Sequence, residues 1–186
     1  MSIKDIVLKN RSYRRFYNEK KISLEELKEL VDIARNTPSA ANRQVVRYKL
    51  VADEKIAKEV YKTLGWAGYL KEWEGPIEQE RPVAYIILVT DKEAKADIDE
   101  GIISQTIMMA AVEKGLGGCI LGNVKRDALK ETLKLADNYK IDLVLALGYP
   151  KENVKLVEMK NNDIKYYRDE EMNHYVPKRR LEDIIL

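Results

Sequence analysis

The strongest constraint on the fold is the run VAYIILVT at residues 83–90, which is apolar along nearly its whole length. A strand with one face in water alternates polar and apolar side chains, whereas a strand covered on both faces does not. The run therefore predicts a strand that is buried on both faces. Other elements must then pack on each side of its sheet.

Helices and further strands are predicted around this run. Ser23 followed by Glu26 is a capping-box pattern that begins a helix, and Asp53 caps the next helix. A long apolar helix is predicted over residues 97–114, with Gly115 after its end. The other predicted elements are a first helix capped by Ser2, strands in VRYKLV, GCILGN and DLVLALGY, and a helix over residues 126–135.

The order of these elements differs from the regular strand–helix alternation of a dinucleotide-binding fold. No GxGxxG motif follows a strand, and no Walker-type GKS or GKT occurs. An α+β sandwich around a central sheet fits the order best. A length of 186 residues predicts one domain, residues 1–186.

Charge and composition argue against several classes of function. With 33 Lys and Arg against 31 Asp and Glu, the chain is close to neutral, which argues against a dedicated nucleic-acid binder. The lone Cys119 and the lone His174 exclude an intrachain disulfide and predict no metal site. We expect His174 on the surface. No apolar run approaches ~20 residues and the N-terminus lacks a signal-peptide pattern, so we expect a cytoplasmic protein with no membrane partner.

Two tight basic clusters stand near opposite ends of the chain, NRSYRRF at residues 10–16 and PKRR at residues 177–180. Such clusters are most often solvated charged loops. The alternative is an anion site, because Arg11, Ser12 and Arg14 stand where the first helix should end. Guanidinium groups offer paired planar donors that suit a phosphate.

The segment PSAANRQ contains Pro38, Ser39, Asn42 and Gln44. It is predicted to be a loop because Pro38 and small polar residues interrupt the helical pattern. It is either an ordinary connection or a set of short hydrogen-bonding side chains that lets a flat polar ligand approach the backbone.

The segment GLGGCILG, residues 115–122, holds four of the nine glycines. Gly115 alone is explained as a helix cap. Gly117, Gly118 and Gly122 exceed that need, and such positions often mark a close approach of backbone to a ligand. Cys119 is expected to be a small buried hydrophobe.

Taken together, RSYRRF, PSAANRQ, DEGIISQTIMMAAVEKGLGGCILG and the terminal PKRR resemble the FMN-dependent nitroreductase family, in its order and spacing. WAGYLKEW and LVLALGYPKE extend the resemblance over nearly the whole chain. The resemblance implies an α+β sandwich with a central mixed, mainly antiparallel sheet flanked by helices. It also implies a homodimer, in which an extended arm, residues 151–186, contacts the partner subunit.

The resemblance further implies which residues bind FMN. Arg14 would face the pyrimidine edge of the flavin, and the backbone of residues 119–121 would pass its reactive nitrogen. The residues implied at the phosphate are Arg11, Ser12, Lys178 and Arg180. Those implied at the flavin, often from the partner subunit, are Pro38, Ser39, Asn42 and Gln44. Those implied along the central ring of the flavin are Gly118, Cys119, Ile120, Leu121 and Gly122. The chain departs from the family pattern at Asn10, where an arginine is usual, and at Val45, where a proline is usual.

The implied activity is a two-step, ping-pong reduction. NAD(P)H reduces FMN and leaves, and a small electron acceptor such as a nitroaromatic or quinone then takes its place. Rival interpretations are a flavin-handling or reductive dehalogenating member of the family, a non-catalytic flavin store, and an RNA-associated protein, which the near-zero charge disfavours. Residues 65–76, with Trp66, Tyr69 and Trp73, are either a lid over the flavin or part of a helical core.

Overall fold

The computed structural model describes residues 1–186 and is built on a four-stranded sheet. The strands are β1 (Arg47–Val51), β2 (Ala84–Asp91), β3 (Gly117–Leu121) and β4 (Tyr139–Gly148), in the order β1-β2-β4-β3. Every neighbouring pair is antiparallel. Strand β2 is an interior strand, and all its residues except the last are buried. The prediction made from VAYIILVT is confirmed.

Five helices lie around this sheet, the last four packed on it and the first packed on the fourth. They are α1 (Ile3–Lys9), α2 (Leu24–Ala34), α3 (Glu54–Tyr61), α4 (Asp97–Glu113) and α5 (Arg126–Leu133). On one face, Ile86 and Leu88 of β2 join a core formed largely with α2 and α4. On the other face, Tyr85 and Ile87 join a second core formed with α3 and α5. Successive side chains of β2 thus enter opposite cores, which is why the strand is apolar along nearly its whole length.

The predicted helix caps agree with the structure. The side chains of Ser2 and Ser23 accept hydrogen bonds in capping boxes, and that of Asp53 accepts the Ile56 N–H. Gly115 follows the end of α4 with a φ of +74°, the left-handed conformation that favours glycine. Helix α5 ends two residues before its predicted end because Lys134 adopts a left-handed conformation.

The C-terminal segment forms a second, smaller sheet. Its strands are β5 (Val154–Glu158), β6 (Tyr167–Arg168) and β7 (His174–Lys178), in the order β5-β7-β6. Strands β5 and β7 are parallel, and β6 and β7 are antiparallel. The mixed pairing of the α+β fold therefore lies here, whereas the central sheet is antiparallel. No helix has both the length and the apolar character needed to cross a membrane.

Candidate functional site

A cleft of about 280 Å³ opens between the N-terminal motif, β3, α4 and the C-terminal sheet. Residues from both ends of the chain line it. They are Asn10, Arg11, Ser12, Arg14, Gln105, Met108, Gly118, Ile120, Tyr166, His174, Val176 and Lys178. The two basic clusters therefore contribute residues to one concave surface.

Backbone pairing holds the N-terminal motif against β3. Ser12 forms a β-bridge with Gly118, and the Tyr13 N–H donates to the Gly118 carbonyl at 2.9 Å. Further along, the Phe16 N–H donates to the Glu80 carbonyl at 2.9 Å, and the Phe16 ring is fully buried. The motif is thus a fixed wall of the cleft and not a solvated loop.

Two arginines of this wall have buried donors without partners. Arg11 Nη2 donates to the Val7 carbonyl in the last turn of α1 at 2.8 Å, and Arg14 Nη1 donates to the Ser12 carbonyl at 3.1 Å. The Nε of each arginine is buried and makes no hydrogen bond. Burial lowers the pKa of Arg11, yet a guanidinium keeps its charge in proteins. Both arginines line the cleft, where an anion would accept hydrogen bonds from guanidinium groups.

Strand β3 presents alternate residues to the cleft. Gly118 and Ile120 line it, whereas Cys119 and Leu121 belong to the core beneath α3 and α5. Cys119 is buried as expected, and burial raises the pKa of its thiol. The Gly118 carbonyl is directed away from β4 because it accepts from Tyr13. Alternation in an antiparallel strand directs the N–H of Ile120, two residues on, to the same edge of β3, beyond the part that pairs with Ser12 and Tyr13. We call this part the free edge of β3.

The glycines of β3 have a different explanation from the one that the sequence suggested. A Cβ on Gly118 would lie 2.2 Å from the Ala146 carbonyl oxygen, and a Cβ on Gly117 would lie 2.6 Å from Tyr13 Cδ2. A Cβ on Gly122 would meet nothing closer than 3.9 Å. Packing within the chain therefore requires the first two glycines, and approach of a ligand is not needed to explain them.

A buried ionic cluster beneath the cleft was not predicted. Glu152, whose side chain is fully buried, accepts the Arg14 N–H at 2.8 Å and the Arg168 guanidinium. His174 lies beside them, with Nε2 3.3 Å from Arg14 Nη1. The expected surface position of His174 is wrong, because β7 is the middle strand of its sheet and the ring is completely buried. Burial lowers the pKa of His174 to about 4 and keeps the ring neutral.

The two C-terminal residues expected at a phosphate lie in different places. Lys178, the last residue of β7, lines the cleft. Arg180 does not line it and instead forms a two-point ion pair with Asp183 on the surface, at 3.1 and 3.0 Å. One cation of this pair is thus available to a ligand in the cleft, and the other has a partner of its own.

The loop at residues 38–44 lies outside this cleft. The Ser39 hydroxyl accepts the Gln44 N–H at 3.2 Å, and the Gln44 side chain donates to Asn42 Oδ1 at 3.0 Å. The Ala40 N–H donates to Asp99 at the start of α4 at 2.9 Å. None of Pro38, Ser39, Asn42 and Gln44 lines the cleft.

The aromatic segment, residues 65–76, divides between core and cleft. Trp66 stacks on Tyr61 and packs against the core beneath α3 and α5. Tyr69 packs on the cleft residue Tyr166 with ring centroids 5.0 Å apart. Trp73 stacks under the Arg168 guanidinium at 4.1 Å. The segment therefore contacts the cleft at Tyr166 and the ionic cluster at Arg168.

Comparison with known proteins gives consistent matches. A family model described as "Nitroreductase family" matches residues 7–149. A protein of Archaeoglobus fulgidus named for NADH dehydrogenase or NAD(P)H nitroreductase activity is 26% identical over 153 residues, which cover 77% of this chain and 83% of that protein. An iodotyrosine deiodinase of Thermotoga neapolitana is 26% identical over 165 residues, covering 78% of this chain and 87% of that protein. The structure of an FMN-dependent nitroreductase from Clostridium difficile superposes with a TM-score of 0.63 at 21% identity, covering 84% of this chain and 91% of that one.

Proposed function

The chain belongs to the nitroreductase family, and from this premise we propose that it is an FMN-dependent oxidoreductase that uses NAD(P)H to reduce a small acceptor. The observation that carries the proposal is the cleft, which brings Arg11, Arg14 and Lys178 together beside β3. Nitroaromatics and quinones are the acceptor classes that we propose.

The phosphate of FMN would bind at the basic end of the cleft. Arg11, Ser12 and Lys178 all line the cleft, and together they supply charge-assisted and hydroxyl hydrogen bonds. Arg180 would join them only if its ion pair with Asp183 opened. The residues present therefore fit a phosphate, with Lys178 as the C-terminal cation.

Arg14 and β3 would contact the flavin ring. The Arg14 guanidinium is largely shielded from water, so its charge acts strongly on a neighbouring group. At the pyrimidine edge it would favour the negative charge of the reduced cofactor. The Ile120 N–H, directed to the free edge of β3, is our candidate for the donor to the reactive ring nitrogen.

FMN, when bound, supplies hydride acceptance from NAD(P)H and electron delivery to the acceptor. The chain's own residues orient the reactants and exclude water. The exposed Ile120 side chain offers apolar surface beside the ring. Donor and acceptor would occupy the same space in turn, which is a ping-pong scheme. The Cys119 thiol, directed into the core, takes no part.

The functional unit that we propose is a homodimer with one domain per chain. The cleft of one chain, about 280 Å³, is slightly below the ~300–1,000 Å³ usual for cofactor sites, so one chain would leave FMN partly uncovered. The loop that holds Ser39, Asn42 and Gln44 does not line its own cleft and would serve the partner's. In the arm, residues 151–186, the tail beyond β7 exposes Leu181, Ile184 and Ile185, which suit contact with the partner.

The test is the absorbance spectrum of the purified protein, followed by NAD(P)H oxidation with an added quinone. We expect about one FMN per chain. We also expect consumption of NAD(P)H beyond one equivalent per FMN only when the acceptor is present. A protein that binds no added FMN would refute the proposal. A protein that binds FMN without turnover would instead be a flavin store.

The contrast between Lys178 and Arg180 tests the phosphate site. Lys178→Met should weaken the binding of FMN by ~1.5–3 kcal/mol, about tenfold to over a hundredfold in the dissociation constant, because a charge-assisted contact is lost. Riboflavin, which lacks the phosphate, should be affected much less. Arg180→Met is the matched control and should change both flavins little. Equal losses of affinity for FMN in the two variants would mean that Arg180 leaves Asp183 to bind the phosphate.

Reductive dehalogenation is a second candidate function. It is favoured by the similarity to an iodotyrosine deiodinase and by the contact of Tyr69 with Tyr166, which brings the aromatic segment to the cleft. Iodide release from 3-iodotyrosine under a reductant would support it. Turnover of quinone with no release of iodide would favour the first candidate.

A further inference from the structure

Four residues at the cleft or beneath it form what we call the arm cluster: Tyr166 and His174 line the cleft, and Glu152 and Arg168 lie beneath it. All four follow residue 149, where the match to the family model ends. They surround Arg14, the cleft residue that we expect at the pyrimidine edge of the flavin. Membership of the family therefore says nothing about what these residues do.

The contact between Arg14 and His174 restricts the state of the histidine ring. His174 Nε2 lies 3.3 Å from Arg14 Nη1. A guanidinium nitrogen can only donate, so Nε2 must carry a lone pair and accept. A neutral ring then has its proton on Nδ1. That nitrogen has no hydrogen-bond partner, and Glu152 Oε1 is 3.8 Å away.

We propose that His174 is a positioning residue for the flavin reaction, which holds the Arg14 guanidinium in the cleft by accepting its Nη1 hydrogen through Nε2. The inference rests on the proposed function, because it assigns to Arg14 a place beside FMN. It adds a named residue from the arm, and a required tautomer of that residue, to the machinery of the site.

Few other groups orient the Arg14 side chain, so its contact with His174 has a large share in holding it. Nη1 is shared between the Ser12 carbonyl at 3.1 Å and His174. The Tyr166 ring packs on the guanidinium, 4.8 Å from its centroid. Arg14 forms no ion pair through its side chain, since Glu152 accepts only its backbone N–H. Without the histidine, one carbonyl and one ring face would remain to orient the side chain.

The charges that face His174 come from three parts of the chain. Arg14 approaches from the N-terminal motif, Arg168 from β6, and Glu152 from the segment before β5. Both Glu152 oxygens accept hydrogen bonds, one from the Arg14 N–H and one from Arg168. The two cations and full burial oppose a proton on the ring, so Nε2 stays free to accept near neutral pH.

The tautomer is directly measurable because His174 is the only histidine. In ¹⁵N NMR spectra of the full chain at pH 7, we expect one neutral ring with the proton on Nδ1. Arg14→Met should shift the ring toward the Nε2–H tautomer, which is no longer opposed by a facing donor. A wild-type ring protonated on Nε2 would overturn the proposal, since it cannot accept from Arg14. This measurement does not require FMN.

The effect on the cofactor is tested with His174→Phe and His174→Gln. Phe keeps a ring of similar size without an acceptor, whereas the Gln side-chain oxygen can accept near the position of Nε2. The readout is the ratio of the dissociation constants for reduced and oxidised FMN. We expect Phe to raise this ratio about tenfold, equal to about 30 mV in the two-electron potential, and Gln to restore most of it.

The outcomes separate this inference from the proposed function. If the wild type binds no FMN, the proposed function fails and the positioning role fails with it. If the wild type binds FMN but the ratio is unchanged in His174→Phe, only the positioning role is refuted. Equal ratios in the Phe and Gln variants, both well above the wild type, would also refute it, because a purely structural role would not be rescued by an acceptor.

Discussion

Arg15 is adjacent to Arg14 in the chain, but its side chain forms an ion pair with Glu80. This ion pair allows a quantitative prediction. The Arg15 guanidinium donates to both oxygens of Glu80, at 2.5 and 2.9 Å, and Lys151 lies 2.9 Å from the same carboxylate. Glu80 is only 8% exposed. The pair links the N-terminal motif both to the segment before β2 and to the start of the arm.

The magnitude follows from the pKa of Glu80. Hydrogen bonds from Arg15, followed by those from Lys151, lower this pKa from 4.5 to about 2. At 1.36 kcal/mol for each unit, the ionised carboxylate stabilises the fold by about 3 kcal/mol. Because the folded pKa is the lower one, this contribution is present above pH 4.5. It is lost as the pH falls toward about 2.

We therefore expect Glu80→Gln to lower the free energy of unfolding by about 3 kcal/mol at pH 7, and by much less near pH 2. Urea unfolding at several pH values measures this, with equal protein and FMN concentrations because bound ligand raises apparent stability. The matched control is Glu54→Gln. Glu54 is exposed and pairs with Lys21 and Lys58 at 3.5 and 3.3 Å, so its loss should lower the free energy of unfolding far less than the loss of Glu80.

Two results would refute this reasoning. Equal losses for Glu80→Gln and Glu54→Gln at pH 7 would mean that the buried pair is worth no more than a surface pair. A full loss for Glu80→Gln that persists at pH 2 would assign the effect to packing and not to ionisation.

Three other groups give shorter predictions. Burial, followed by repulsion from Asp142 and Asp97, raises the pKa of Glu100 to about 7, so Glu100→Gln should stabilise the protein above pH 7, and the gain should vanish below pH 4.5 in urea unfolding. Burial lowers the pKa of His174 from 6.5 to about 4, so the free energy of unfolding of the wild type should fall as the pH falls from 6.5 to about 4. His174→Gln should remove this part of the pH dependence of stability. An unchanged pH dependence would contradict a buried neutral ring. Burial raises the pKa of Cys119, so thiol reagents should modify it in urea but not in the folded protein, and modification of the native chain would contradict its place in the core.

Much of the fold was predictable because its signals are local. A capping box lies within four residues, and the apolar character of β2 lies within eight, so Ser23 and the VAYIILVT run were recognised directly. The alternation that buries Cys119 and directs Ile120 to the cleft is also a local property once β3 is known. The grouping of Arg11, Ser12 and Lys178 came from the family resemblance, since no local pattern joins residues so far apart.

The amino-acid sequence by itself thus determined the central strand, the helices with their caps, and the candidate arginines of the cleft. Only the tertiary structure decided that Lys178 and not Arg180 lines the cleft, and that the loop at residues 38–44 does not. It also decided that His174 is buried against Arg14, 160 residues earlier in the chain. The physical reason is that periodicity and capping depend on neighbouring residues, whereas the burial of one polar group depends on which distant strand and side chain cover it.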